Sequence, residues 1–229
     1  RDSLMEPLLA HKIMVYPVRG NHDLVQEGGD SVNLWNEIFK GKYGLPDNGP
    51  EKEKGITFSF HYKNAFFLGL DTYLNDHRVN QRWLDKQLKD NERPHVFAFT
   101  HEPAYSLKGG HRDCLAVHKK ARDIFIQSLI GSGSKVFFCG HDHWYDHARI
   151  EFTDNVYFHQ LTAGTAGAPL RDWSSKEYSE KDIINIAHRK AYGYMIVEIQ
   201  GLKVEMVMKI FNDEDEIEVI DRFGYEIKE

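Results

Sequence analysis

One pattern constrains this chain more than any other. Three times, an apolar run ends directly in a polar cluster built around histidine. Ile13-Met-Val-Tyr16 leads through Pro17 and Arg19 into Gly20-Asn-His-Asp23. Residues 95–100 lead into Thr100-His-Glu-Pro103, and residues 135–139 into Gly140-His-Asp-His143. Apolar runs of this length read as buried strands. In α/β sheets, ligands gather outside the carboxyl ends of strands, so the three clusters are expected to converge on one site. Imidazole nitrogen and Asn carbonyl oxygen are suitable donors for Zn, Fe, Mn or Ni. His141 and His143, two residues apart, are placed to address two neighbouring ions from one turn. Gly20 and Gly140 are expected to give the backbone its sharp turn into each cluster.

The remaining patterning predicts strands alternating with helices, followed by a run of C-terminal strands. Residues 2–12 read as the last turns of a helix already under way, so an upstream portion of the protein is expected. Helices are predicted over 31–43, with Ser31 as N-cap, over 79–91 on Trp83, Leu84 and Leu88, and over 114–130. The last is expected to carry Leu115, Val117, Ala121, Ile124, Phe125 and Leu129 on one side. Residues 56–62 alternate with period two and return through Lys63-Asn64 into 65–71, a hairpin. Short strands follow at 148–152 and 156–161, then at 192–199, 202–210 and 216–223, with 202–210 alternating most cleanly. The polar stretch 171–189 reads as a lid, and the acidic run 213–216 as a solvated turn. Together these elements predict a layered α/β sandwich, with residues 1–229 as a single domain.

Composition enters by exclusion. The chain has 29 Lys+Arg against 35 Asp+Glu, a net charge of −6. That excludes a nucleic-acid groove working through net positive charge, so nucleic acid is not indicated as a partner. No apolar run approaches the ~18 residues of a membrane span. Cys114 and Cys139 cannot build a disulfide framework, and Cys139, ending an apolar run, reads as a small buried hydrophobe. Histidine is the unusual count, 13 of 229. His61, His77, His95, His118, His159 and His188 stand alone and read as ordinary hydrogen-bonded residues. The compartment is not legible.

Taken in order, Gly20-Asn-His-Asp23, His101 and Gly140-His-Asp-His143 resemble the last three motifs of the calcineurin-like metallophosphoesterases. Residues 15–23, Phe58-Ser-Phe60 with Leu70-Asp-Thr72, Gln81-x-Trp-Leu84 and Gly140-His-Asp-His-Trp-Tyr145 are similar to the branch that includes purple-acid-phosphatase-like enzymes. The resemblance runs from about residue 13 to residue 210. It implies a four-layer α/β/β/α fold and metal-dependent hydrolysis of a small phosphate ester, mono- or diester. It also implies two divalent or trivalent transition ions, Mn, Fe or Zn, held ~3.5–4 Å apart to clamp phosphoryl oxygens and activate a water. By position it implies that Asn21, His101 and His141 bind the second ion and His143 the first. His22 would touch the phosphate and protonate the leaving oxygen, with Asp23 orienting that catalytic loop. In the loop between motifs, Lys108, His111 and Arg112 are candidates to face the substrate. Trp144 and Tyr145 read as packing beside the site, and Arg19 as a local pair.

The resemblance has a gap. The family opens with Asp-x-His and then Gly-Asp, which supply the bridging carboxylate and most ligands of the first ion. No Asp-x-His occurs in this sequence, and its single Gly-Asp, Gly29-Asp30, falls after the Asn motif. The favoured expectation is an upstream portion that carries those motifs and the first strands of the sandwich. The alternatives are a non-catalytic metal-binding or interaction domain with at most one ion, and a site completed by a partner chain. An oligomer stays open.

Overall fold

The computed structural model describes residues 2–24, 30–107, 110–153, 156–172, 177–178, 180 and 182–228. The strands are Phe58–Tyr62 (β1), Ala65–Gly69 (β2), His95–Phe99 (β3), Val136–Cys139 (β4), Tyr145–Thr153 (β5), Val156–Ala163 (β6), Ile183–Arg189 (β7), Gly193–Gln200 (β8), Lys203–Phe211 (β9) and Ile217–Glu226 (β10). The α-helices are Asp2–Ala10 (α1), Ser31–Ile38 (α2), Gln81–Lys89 (α3) and Lys119–Gly131 (α4). Seven strands form one sheet in the order β1-β2-β3-β4-β6-β5-β7, and a second sheet runs β10-β9-β8. The centre of the large sheet, β2-β3-β4-β6, is parallel, so those strands deliver their carboxyl ends to one edge.

Two apolar interfaces hold the layers. On one face, Leu68, Val96, Ala98 and Phe137 from the strands, with Leu70 just past β2, meet Leu84 of α3 and Phe125, Ile126 and Leu129 of α4. On the other, Phe97, Val136, Phe138 and Leu161 meet Val204 and Met206 of β9. The clean alternation read over 202–210 has this cause: Val204, Met206, Met208 and Ile210 all point inward and are buried. Each such side chain stabilises the fold by about 1.5–3 kcal/mol relative to exposure. Both cysteines are free and buried, Cys139 as expected.

Several expectations are corrected. Residues 13–16 form no strand; the segment is extended without ladder pairing, and Ile13 and Met14 are about half exposed. An apolar run becomes a strand only beside a partner edge, and none of the described residues offers one. The second helix stops at Ile38, and Gly41–Tyr43 adds a separate 3-10 turn. Its N-cap is Asp30, whose carboxylate accepts from Val32 N and Asn33 N, while Ser31 instead accepts from Arg19. The helix predicted over 114–130 opens with a 3-10 turn, Leu115–His118. That tighter turn shifts the phase, so Arg122 and Ile126 are buried while Val117 and Ile124 face solvent. The lid expected over 171–189 is in its second half the edge strand β7, paired with β5. The part over 173–176, with residues 179 and 181, lies outside the described residues.

Candidate metal centre

Parallel pairing sets two of the clusters side by side. Phe99 of β3 stands opposite Phe138 of β4, and the register continues past both strands: Thr100 N donates to Phe138 O and Gly140 N to His101 O (2.9 Å). The third cluster arrives differently. Arg19 is fully buried and ion-paired at 2.8 Å with Asp71, just beyond the end of β2, while Tyr16 stacks on Phe60 of β1 at 4.0 Å. This pair across 52 residues, not a strand, brings Gly20-Asn-His-Asp23 to the sheet edge. Asn21–Asp23 then make one 3-10 turn, closed by Gly20 N donating to the Asp23 carboxylate at 2.8 Å.

Glycine is required at position 20 for proximity rather than for φ: a Cβ there would stand 2.8 Å from the His101 ring. At Gly140 a Cβ would meet nothing closer than 3.8 Å. The sharp turn expected of Gly140 is made by His141, whose φ is 66°. A non-glycine residue in that region costs about 1–3 kcal/mol and concentrates at functional sites.

The result is a tight trio. His101 Nε2 lies 3.0 Å from Asn21 Oδ1 and 3.1 Å from His141 Nδ1. His141 is buried, and its Nε2 has no hydrogen-bond partner, the nearest carboxylate being Asp113 at 3.5 Å. Burial, reinforced by the imidazoles of His141, His111, His143 and His22, pulls the pKa of His101 down to about 4. Burial likewise lowers that of His141. At neutral pH these rings are therefore uncharged and offer lone pairs, the form that binds a cation. His143 donates Nδ1–H to Pro169 O at 2.8 Å, which leaves Nε2 as its lone-pair nitrogen. A carbonyl fixing the outer nitrogen is the usual support of a ligating histidine. No group of three His, Cys, Asp or Glu side chains among the described residues is gathered to hold an ion; the trio's third donor is the Asn21 amide oxygen.

The other candidates fall around this trio. His22 is exposed on the Asn21 turn. His111 packs against His141 with ring centroids 4.1 Å apart and against His143 at 6.0 Å. Arg112 is exposed and borders a cavity of about 440 Å³ that His111, Tyr105, Lys119 and Glu180 also line. Lys108 lies outside the described residues. Trp144 and Tyr145 are fully buried and belong to the core.

Sequence reading missed the supports. Besides Arg19 and Asp71, these are Asp142, which holds His111, and Arg171, which reaches it from the far side. It also missed a second histidine cluster between the sheets. There His147 places Nδ1 2.6 Å from Asp221 and Nε2 2.7 Å from His159 Nδ1, and Tyr145 donates to the same Asp221 oxygen. His159, like His77 and His188, had no sequence signal beyond its type; His77 pairs with buried Glu102 at 2.6 Å and His188 with Asp146 at 3.0 Å.

The chain belongs to the calcineurin-like phosphoesterase family, whose profile matches residues 2–145. That family's general chemistry is metal-dependent hydrolysis of phosphoesters. Solved structures agree on the fold. A purple acid phosphatase from yellow lupin seeds superposes with a TM-score of 0.60 at 15% identity over 78% of this chain and 34% of its own. PhoD superposes with a TM-score of 0.59 at 13% identity, over 89% and 50%. GAP50, the anchor in the inner membrane complex of Plasmodium, gives 0.58 at 15% identity, over 98% and 82%. This chain thus spans about a third of the lupin phosphatase and half of PhoD. No curated protein sequence matches. No helix among the described residues is long and apolar enough to cross a membrane.

Proposed function

We propose that residues 1–229 form one metallophosphoesterase domain that hydrolyses small phosphate mono- or diesters. The observation that carries this is the meeting of Asn21 Oδ1, His101 Nε2 and His141 Nδ1 within 3.1 Å at the carboxyl edge of a parallel sheet. These three would hold one transition ion, Mn, Fe or Zn by donor type, and His143 Nε2 would face a second. When bound, such ions supply Lewis acidity for the phosphoryl oxygens and the attacking water. The chain's own residues do the rest. Asp23 keeps the Gly20–Asp23 turn closed, His22 faces solvent where it can contact the phosphate and give a proton to the departing oxygen, and His111 and Arg112 border the substrate side.

The trio contains no carboxylate; on this reading the bridging ligand would be supplied by an upstream portion or by a partner chain. What supports that reading is an apolar slot of about 220 Å³ lined by Tyr16, Phe58, Phe60, Phe67 and Phe99. Phe67 and Phe99 also pack against the inter-sheet core that Met195 of β8 joins, and β8 pairs only with β9 among the described residues. The second reading is a non-catalytic metal-binding or interaction domain, a role in keeping with the word "anchor" applied to GAP50.

The test is metal content and turnover of 4-nitrophenyl phosphate and bis(4-nitrophenyl) phosphate, for this chain and for a form extended by any upstream coding sequence. Metal uptake by both, with turnover in the extended form, supports the enzyme reading. Metal uptake without turnover in either favours the non-catalytic one. No metal and no turnover in either form would overturn the enzyme reading.

A further inference from the structure

Between the two histidines of Gly140-His-Asp-His143 stands Asp142, buried, with a defined task. Its Oδ1 accepts from the backbone N–H of His111 and from His111 Nδ1, both at 2.8 Å. The loop carrying His111 approaches so closely that a Cβ on Gly110 would stand 2.7 Å from the Asp142 carboxylate. The other ring nitrogen, Nε2, lies 2.9 Å from Arg171 Nη1. A guanidinium has donors only and an ionised carboxylate acceptors only. The geometry therefore places the His111 proton on Nδ1, facing the carboxylate, and turns the Nε2 lone pair to Arg171. The tautomer is set from both ends.

Arg171 is also tied to the site through its backbone. Its N–H donates to His143 O at 3.2 Å, and two residues earlier Pro169 O accepts from His143 Nδ1. The residue is exposed, and no carboxylate among the described residues pairs with it. One of its five N–H donors is spent on His111; the others are left to fork around an oxyanion.

We propose that Arg171 is an oxyanion-gripping residue at the rim of the centre, that Asp142 and His111 are its positioning residues, and that the grip favours the dianionic phosphate of a monoester over the singly charged phosphate of a diester. The substrate preference rests on the phosphoesterase reading above; the grip itself does not. A guanidinium loses more when its anion carries one charge fewer, because charge-assisted bonds are the strong ones.

The test uses inorganic phosphate as probe, with binding measured by titration calorimetry on the chain with and without added Mn²⁺, and His111 observed by ¹⁵N NMR. Expected are an Nδ1–H signal from His111 in the wild type and phosphate binding weakened about 10-fold or more in Arg171→Ala. Arg171→Lys should recover part of the loss, since a point charge replaces the fork. Asp142→Ala should weaken phosphate similarly, and Asp142→Asn, which keeps an acceptor oxygen, much less. The Asp142→Ala/Arg171→Ala double variant should be no worse than either single, because the two act through one chain of contacts. Arg93→Ala, exposed just before the amino end of β3 and so at the opposite sheet edge, should change nothing. An Nε2–H tautomer in the wild type, additive losses, or unaltered phosphate binding in Arg171→Ala would overturn the proposal, as would a wild type that binds no phosphate. Where turnover exists, Arg171→Ala should lower kcat/KM for the monoester at least 5-fold more than for the diester; equal losses would remove the preference. Phosphate binding through Arg171 with turnover of neither ester, both in this chain and in the form extended upstream, would sink the enzyme reading and leave the grip standing.

Discussion

Two pairs of imidazoles stand within hydrogen-bonding distance of each other among the described residues, and their difference separates the proposed cation site from a structural contact. At the sheet edge, His101 and His141 meet with Asn21, and the outer nitrogen of His141 is left without a hydrogen-bond partner, Asp113 standing 3.5 Å off. Between the sheets, His147 has both nitrogens engaged, by Asp221 and by His159, under the ring of Phe223. The first cluster is a set of lone pairs short of protons. The second is a proton-sharing chain anchored on a carboxylate. On the proposed reading, the same residue type serves a cation site in one place and a layer contact in the other. What distinguishes them is whether each nitrogen has a complement.

The largest effects should break this comparison outright. Asp71→Asn removes the charge that holds buried Arg19, and is expected to cost about 3–5 kcal/mol in urea unfolding. It should also release the Asn21 turn and weaken metal binding at the sheet edge. His101→Ala should abolish tight Mn²⁺ uptake, a loss beyond the ~10–100-fold that follows removal of an outer-sphere partner, while leaving the metal-free unfolding midpoint nearly unchanged. His147→Ala is expected to do the reverse. Metal uptake is retained, and stability falls by about 2–4 kcal/mol because Asp221 stays buried without its imidazole.

A smaller effect concerns pH. Burial, with His147 and Arg149 nearby, brings the pKa of His159 down from 6.5 to about 4. Below pH 6.5 the unfolded chain binds a proton that the native state does not, so stability is full above that point and falls as pH drops toward 4. The loss is on the order of 2–3 kcal/mol across the window. His101 contributes with the same sign in the metal-free protein. The His159→Phe variant should therefore show a clearly shallower slope than the wild type in urea midpoints measured from pH 7 to 4, with His101 and His141 supplying the remainder. An unchanged slope would remove His159 from the account. Smallest of all, His61→Ala on the exposed end of β1 should stay within about 0.5 kcal/mol of wild type.

Much of this was readable in advance, for physical reasons that differ by element. The β1–β2 hairpin, β3, β4 and the inward row of β9 are local: each depends on apolar alternation and a turn within a few residues. The trio was legible because Asn21, His101 and His141 each sit in a cluster directly after an apolar run. Residues 13–16 failed as a strand because strand formation depends on a neighbour and not on the run itself. The face of α4 failed because a 3-10 turn reset its phase. Asp71, Asp142 and Arg171 were invisible because each acts across 31 to 60 residues, and pairs at that separation leave no periodic mark. His159 reads correctly as an ordinary hydrogen-bonded residue, but its joining with His147 left no mark for the same reason: Asp221, the anchor of the pair, lies 74 residues from His147.

The claim that the sheet-edge trio is the cation site has one direct test. Substoichiometric Mn²⁺ added to the ¹⁵N-histidine-labelled chain should broaden the ring signals of His101 and His141 first and leave His147 and His159 sharp, with the effect lost in Asn21→Ala. Broadening centred on His147 and His159, or none at any histidine, would contradict the account.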